Sequence, residues 1–343
     1  MLTADFDYEL PGELIAQRPL GHRDQSRLLI LDRGSGTISH SSFSRLAEYL
    51  TAGDCLVLND SRVIPAKFKA LRRSGGKVEG LFLAESEGAW QIMLRPSARL
   101  REDETLELPG HPSGLRLLKS LGKGIWQART EPAASSLEIL ESIGRVPLPP
   151  YIKREANSDE PTDKQRYQTI FADKPGSVAA PTAGLHFTET MFEKLKDKEI
   201  QHTYITLHVG LGTFAPLATE HIEEHPIHEE WFSISSNTAK QLKATRDSGG
   251  KIVAVGTTSV RVLEAASSKP ELMAQEGWTD IFIKPGFEFR ATDMMLTNFH
   301  LPRSSLLVLV CAFASRELIF KAYRQAIEKK YRFYSYGDAM LIL

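Results

Sequence analysis

Residues 251–266, KIVAVGTTSVRVLEAA, constrain the fold most. Four apolar residues, Ile252 to Val255, make a buried strand, and Val262 and Leu263 then return at helical spacing. Gly256 marks the break, and Thr257, Thr258 and Ser259 crowd the turn after it. This is a βα junction with three hydroxyls at a helix N-terminus, where unpaired N–H groups favour an anion or a carboxylate. It has neither P-loop nor GxGxxG spacing.

Three further junctions follow the same grammar. HTYITLHVGLGTF runs a strand, 204–209, into Gly210, Gly212, Thr213 and Phe214. Along it Thr206 and His208 share one face, and Ile205 and Leu207 the other. TDIFIKPGFEF reads as a strand ending at Lys284, Pro285 and Gly286. MLTNFHLPRSSLLVLV places Asn298 and His300 just before an element that starts at Ser304. Gly, Thr or His at four strand ends makes an α/β core whose ligand gathers at the carboxyl edge.

Residues 177–189, SVAAPTAGLHFTE, supply another wall. Thr182 and Gly184 sit in a small-residue run, and His186 and Phe187 precede Thr188, a helix N-cap. An ordinary Gly/Ala-rich turn feeding a helix accounts for the same letters.

The earlier chain has a different texture. One short helix is expected around Leu10, Leu14 and Ile15. FSRLAEYL has Phe43, Leu46, Ala47 and Leu50 on one helical face. DCLVLND is a buried strand ending at Asn59, Asp60, Ser61 and Arg62, a site edge or a self-bonded Asx turn. From 63 to 149 short alternating stretches recur between Gly, Pro and Ser turns, as in a small antiparallel barrel. That segment has 13 Lys and Arg against 10 Asp and Glu, a weakly basic balance. The expected organisation is an α/β catalytic domain, 1–62 plus 150–343, interrupted by this inserted β-barrel domain, 63–149. The α/β sheet is mixed or closed, with flanking helices. GRVPLPPYIKR is an extended Pro-rich re-entry carrying Lys153 and Arg154, and Tyr167 is expected exposed or lining a cleft.

Composition narrows the function classes. Net charge is −1, so any RNA contact needs a local patch. Cys55 and Cys311 lie in apolar runs and read as buried thiols of a reducing compartment. No apolar run is long enough to span a bilayer, so a cytoplasmic protein is expected. Seven of the ten histidines fall between His186 and His300. His221, His225 and His228 stand at i, i+4 and i+7, as zinc ligands on a helix would, but Pro226 interrupts that helix. No metal is assigned. A metal-dependent nucleotide hydrolase and a catalytically silent RNA-binding module are the rival classes.

Taken together, YELPGELIAQRPL, GDCLVLNDSRVIPA, GRVPLPPYIKR, AAPTAGLHFT, TLHVGLGTF, HPIHEE, VGTTSVR, TNFHLPRSSLLVLV and YRFYSYGDAM resemble the S-adenosylmethionine:tRNA ribosyltransferase-isomerase family of queuosine biosynthesis, over nearly the whole chain. The resemblance implies ribosyl transfer from S-adenosylmethionine to 7-aminomethyl-7-deazaguanine at the tRNA wobble position. The products are epoxyqueuosine-tRNA, adenine and methionine. The donor is consumed, so no cofactor is expected, and the partners are S-adenosylmethionine and tRNA, with a monomeric enzyme. On these positions it implies His186 or His208 as base, with Asp60 and Arg62 facing the pocket. Thr257, Thr258 and Ser259 would hold carboxylate or sugar hydroxyls. Phe187 or Phe214 would stack on adenine or face the sulfonium. Thr182, Gly184, Thr206, Gly210, Gly212, Thr213, Gly256, Arg261, Asn298 and His300 complete the donor site. Lys153, Arg154, Lys329, Lys330 and Arg332 would bind tRNA phosphates, with Tyr334 and Tyr336 near the anticodon loop.

Overall fold

A computed structural model describes residues 1–154, 161–210, 212, 216–267 and 272–343. Nine strands form one mixed sheet. Their spatial order is Gln275–Thr279, Glu230–Ile234, Gln201–Leu207, Cys55–Asn59, Ile252–Val255, Met294–Asn298, Ala339–Ile342, Arg27–Leu31 and Ile38–Ser42. The four strands from Gln201–Leu207 to Met294–Asn298 are mutually parallel, so their carboxyl ends open on one edge. Cys55–Asn59, Ile252–Val255 and Met294–Asn298 are buried at every residue. Continuous apolar runs are what a sheet covered on both faces requires. Val57 packs into one core beside Val262, Leu263 and Ile319, while Leu56 and Leu58 pack into the other beside Phe43, Met191 and Leu195.

Ala339–Ile342 runs antiparallel to Met294–Asn298, and Arg27–Leu31 is parallel to Ala339–Ile342. The amino end of Arg27–Leu31 therefore reaches the same edge as the carboxyl ends of the central strands. Ser26, from the start of the chain, thus reaches the same edge as Asn298, from its end, with the last strand between them.

Between Cys55–Asn59 and the strands that follow it in the sheet lies a closed antiparallel barrel. Its strands are Lys67–Arg72, Lys77–Ser86, Ala89–Arg95, Thr105–Glu107, Gly114–Gly122 and Ile125–Glu131. Phe68, Trp90 and Trp126 fill it, and the helix Ser136–Ile143 adds Ile139 and Leu140 to the same cluster. Gly80 is required there, because a Cβ would meet the Phe68 ring at 2.2 Å.

Several local expectations change. The 43–50 segment is helical with Phe43, Leu46 and Ala47 buried, but as a 3-10 helix, Phe43–Tyr49. Around Leu14 there is only a three-residue 3-10 turn, Gly12–Leu14. The strand expected over 279–286 lies earlier, at Gln275–Thr279, and residues 280–285 leave the sheet while Ile283 enters the core. Tyr167 is not exposed: it is buried, 1% accessible, with its ring edge-on to Tyr336. Cys55 and Cys311 are free and buried, and burial pushes their thiols up to about 11 and about 12. Among the described residues no helix is long and apolar enough to cross a membrane.

Candidate active site

A cavity opens at the carboxyl edge of the parallel strands. Its walls include Thr182 and Ala183, Gly256, Thr257 and Thr258, Thr297, Asn298 and His300, and Tyr334. Gly256 has φ 87°, a left-handed conformation that turns the Ile252–Val255 strand sharply into the helix Thr257–Ala266. Of the three hydroxyls there, Ser259 turns inward and donates to the Val255 carbonyl at 2.8 Å. Thr258 Oγ1 is buried without a partner among the described residues, and so is Asn298 Oδ1. Leaving a buried polar atom unpaired costs about 1–3 kcal/mol. Both residues line the cavity, so a ligand bound there can supply the missing partners.

His300 is pinned from several sides. Its backbone N–H donates to the Tyr323 hydroxyl at 2.9 Å, and its carbonyl accepts from the Tyr8 hydroxyl. Nε2 pairs with Thr297 Oγ1 at 2.8 Å. Burial pushes its pKa down to about 3, so the imidazole is neutral at pH 7.

His186 lies behind this wall, not on it. Its Nδ1 is 2.7 Å from Ser26 Oγ, its Nε2 is 3.2 Å from Asn298 Nδ2, and its ring packs on Phe43. Burial lowers its pKa to about 4. With both nitrogens engaged and no face on the cavity, it is not placed to take a proton from a ligand. Phe187 is likewise not a stacking platform. It is fully buried, with its ring among Phe43, Phe171 and Phe192. Gly184 serves packing, since a Cβ would meet Phe171 at 2.8 Å.

A ledge carries the other histidine. Thr206 Oγ1 donates to Asp60 Oδ1 at 2.7 Å, and Ser61 Oγ pairs with His208 Nδ1 at 2.8 Å. Thr206 and His208 therefore do share a face. His208 stacks on Trp231, centroids 5.1 Å apart, and Gly176 approaches so closely that a Cβ would be 2.7 Å from Nε2. Burial lowers the His208 pKa and raises that of Asp60. Val209, the next residue, lines the main cavity. Asn59 is structural: its amide bonds both the N–H and the carbonyl of Leu207 at 3.0 Å. Arg62 points away, to Glu141 at 3.3 Å.

A second cavity, which shares Leu306 with the first, is lined by Gly212, His225, His228, Glu230 and Arg261. Arg261 is ion-paired with buried Glu230, whose Oε1 also accepts from the Gly210 N–H at 2.8 Å. Arg261 thus lines this neighbour instead of the main pocket, and Gly210 is tied to it through Glu230. Thr213 and Phe214 lie outside the described residues. Among the described residues no three His, Cys, Asp or Glu side chains converge as a metal site needs. The 221–228 histidines flank a short 3-10 turn, Ile222–Glu224, with no continuous helix to align them.

The cationic positions divide. Lys153, Lys329 and Lys330 are exposed. Arg154 instead forms a buried pair with Asp163 at 2.7 Å, and the Tyr336 hydroxyl donates to the same carboxylate at 3.1 Å. Arg332 is tied to the Arg18 carbonyl, and burial lowers its pKa. Tyr334 and Tyr336 are each 5% exposed: Tyr334 lines the main cavity, and Tyr336 packs edge-on against Tyr167. Sequence reasoning missed Ser26, Thr297 and Tyr323. Only the hydroxyl of Thr297, adjacent to Asn298, carried a local signal.

Comparison with known proteins gives a consistent result. A family model described as queuosine biosynthesis protein matches residues 3–342. A protein named S-adenosylmethionine:tRNA ribosyltransferase-isomerase from Halothermothrix orenii is 46% identical over 349 residues, covering 100% of each chain. One of the same name from Thermotoga petrophila is 47% identical over 347 residues, again covering 100% of each. A crystal structure of an S-adenosylmethionine tRNA ribosyltransferase from Thermotoga maritima superposes with TM-score 0.58 at 38% identity, covering 99% of this chain and 100% of that one. With a family match and identities of this size running end to end, the chain belongs to the queuosine biosynthesis protein family.

Proposed function

We propose that the protein transfers and isomerises the ribosyl part of S-adenosylmethionine onto 7-aminomethyl-7-deazaguanine at the tRNA wobble position. The products are epoxyqueuosine-tRNA, adenine and methionine. The observation that carries the reading is the pair of unpartnered buried atoms, Asn298 Oδ1 and Thr258 Oγ1, in a cavity at the carboxyl edge of a parallel sheet. End-to-end similarity to proteins with the ribosyltransferase-isomerase name supports it.

The sulfonium acidifies the donor's 5′ carbon, so a base can start the reaction by taking a proton there. Adenine then leaves, protonated, as the sugar ring opens. Opening breaks the 4′ carbon–oxygen bond to give a vinyl sulfonium, and loss of adenine leaves an aldehyde at the 1′ carbon. The amine of the modified base adds at the 4′ carbon and loses a proton. The 5′ carbanion so formed attacks the aldehyde, which closes the carbocycle and leaves an alkoxide. A sugar alkoxide finally displaces methionine: the C–S bond breaks with its electron pair going to sulfur, and the epoxide closes. In this reading Thr182, Thr257, Thr258 and Asn298 hold the nucleoside, and neutral His300 borders it. His208 takes the proton, because it is neutral at pH 7 and its Nε2 has no hydrogen-bond partner among the described residues. Asp60, beside it, offers a negative charge to the sulfonium. The donor is a consumed substrate.

Lys153, Lys329 and Lys330 meet tRNA phosphates, which predicts affinity falling linearly with log salt. Salt-independent binding contradicts that assignment. The decisive assay is mass spectrometry of tRNA carrying the 7-aminomethyl base after incubation with the donor. The expected result is a ribosyl-derived mass gain with matching adenine release, and absence of both removes the reading.

A further inference from the structure

The unpaired carbonyl of Asn298 is held in place by His186. Asn298 Nδ2 lies 3.1 Å from the Tyr334 carbonyl and 3.2 Å from His186 Nε2. A peptide carbonyl only accepts, so the amide nitrogen must face it, and this fixes which end of Asn298 is oxygen. The second amide hydrogen then points at His186 Nε2, which must present a lone pair. The ring proton is left on Nδ1, donated to Ser26 Oγ at 2.7 Å. The chain Ser26–His186–Asn298 joins the first strand's amino end to the cavity wall. All three residues are at most 4% exposed. Burial disfavours protonation of the His186 ring most, the Arg23 backbone favours it, and the Arg23 and Arg332 cations disfavour it.

We infer that His186 is a positioning residue: its Nδ1–H tautomer locks the Asn298 amide with Oδ1 toward the cavity, where it accepts a hydrogen bond from the donor substrate. An amide carbonyl cannot donate, so the ligand group it takes is an N–H or O–H. On an S-adenosyl donor that is the exocyclic amine of adenine or a ribose hydroxyl. Thr258 Oγ1, buried and unpartnered in the same cavity, can donate or accept and so serves the neighbouring ligand atom. The substrate assignment rests on the function proposed above, whereas the tautomer does not.

The test therefore has two parts. In the ligand-free protein, 15N NMR of the imidazoles should find His186 protonated at Nδ1 only at pH 7. Protonation at Nε2 overturns the lock whatever the enzyme does. In Asn298→Asp a carboxylate faces Nε2, and His186 should become doubly protonated near neutral pH; an unchanged ring also overturns the lock. In the second part, His186→Gln, which can place an acceptor where Nε2 was, should keep the donor KM within about 3-fold. His186→Leu, which cannot, should raise it at least ~10-fold with a smaller change in kcat and an unchanged KM for tRNA. Equal losses in both variants with unchanged donor KM overturn the positioning role. Binding of the 6-oxo and 2′-deoxy donor analogues to wild type and Asn298→Ala identifies the group. Whichever analogue loses its penalty in the variant lacks the hydrogen-bond donor, and loss for neither contradicts the inference. If wild type binds no S-adenosylmethionine while the NMR result stands, the function fails and the lock survives.

Discussion

Two histidines that look interchangeable in the sequence have opposite surroundings. His186 is buried behind the cavity wall with both ring nitrogens bonded and a pKa near 4. His208 is half-buried on a ledge, stacked on Trp231, with Nδ1 bonded to Ser61 and Nε2 without a partner among the described residues. One ring has both nitrogens bonded, and the other keeps Nε2 without a partner among the described residues. A histidine near a glycine-rich strand end is therefore not yet a proton mover. What decides is whether a ring nitrogen is left without a partner.

The largest expected effect is on His208. His208→Gln keeps the size and a polar end but cannot act as a base, so turnover at saturating donor should fall by about 10²–10⁴-fold. Steady-state mass-gain kinetics measure it, and a drop under 5-fold removes His208 from the role.

Acid stability contrasts the two sites next. The unfolded-state pKa of His186 is near 6.5 and the folded one about 4, so the unfolded chain binds more protons between these values. Stability should therefore fall as pH drops through 6.5 and level off near pH 4, by about 3 kcal/mol from this residue. His300, pushed to about 3, extends the loss to lower pH. Urea melts at successive pH values should show His186→Gln with a shallower acid decline than wild type. Identical slopes are contrary to this picture.

Asn298→Ala removes the acceptor and should weaken S-adenosylmethionine binding by about 1–3 kcal/mol without weakening tRNA binding. Calorimetry with each substrate separately decides it. The smallest effect belongs to the surface: Lys329→Ala with Lys330→Ala should flatten the salt dependence of tRNA binding by about two phosphate contacts. An unchanged slope moves the tRNA surface elsewhere.

Much of this was legible before any coordinates. The βα turn at Gly256, the shared face of Thr206 and His208, and the alternating barrel strands follow from periods of 2 and 3.6 and from glycine's permissiveness. Asn298 and His300 could be placed at a strand end for the same reason. The reading failed where a side chain's fate depends on distant residues. Phe187, one of two candidates with Phe214 for stacking on the ligand, instead packs against Phe43 and Phe192 in the core. Arg154 and Tyr336 were assigned to tRNA, but both bond Asp163. Ser26 and Asn298 are 272 positions apart in the sequence. His186 bridges them because the first strand lies parallel to the last one, which itself pairs with Met294–Asn298. No local pattern encodes that adjacency.

The division of labour is tested most directly by the kcat of His186→Gln and His208→Gln, measured side by side at saturating donor and tRNA. The account predicts His186→Gln near wild type and at least ~100-fold faster than His208→Gln. Equal values, or a slower His186→Gln with normal donor KM, contradict it.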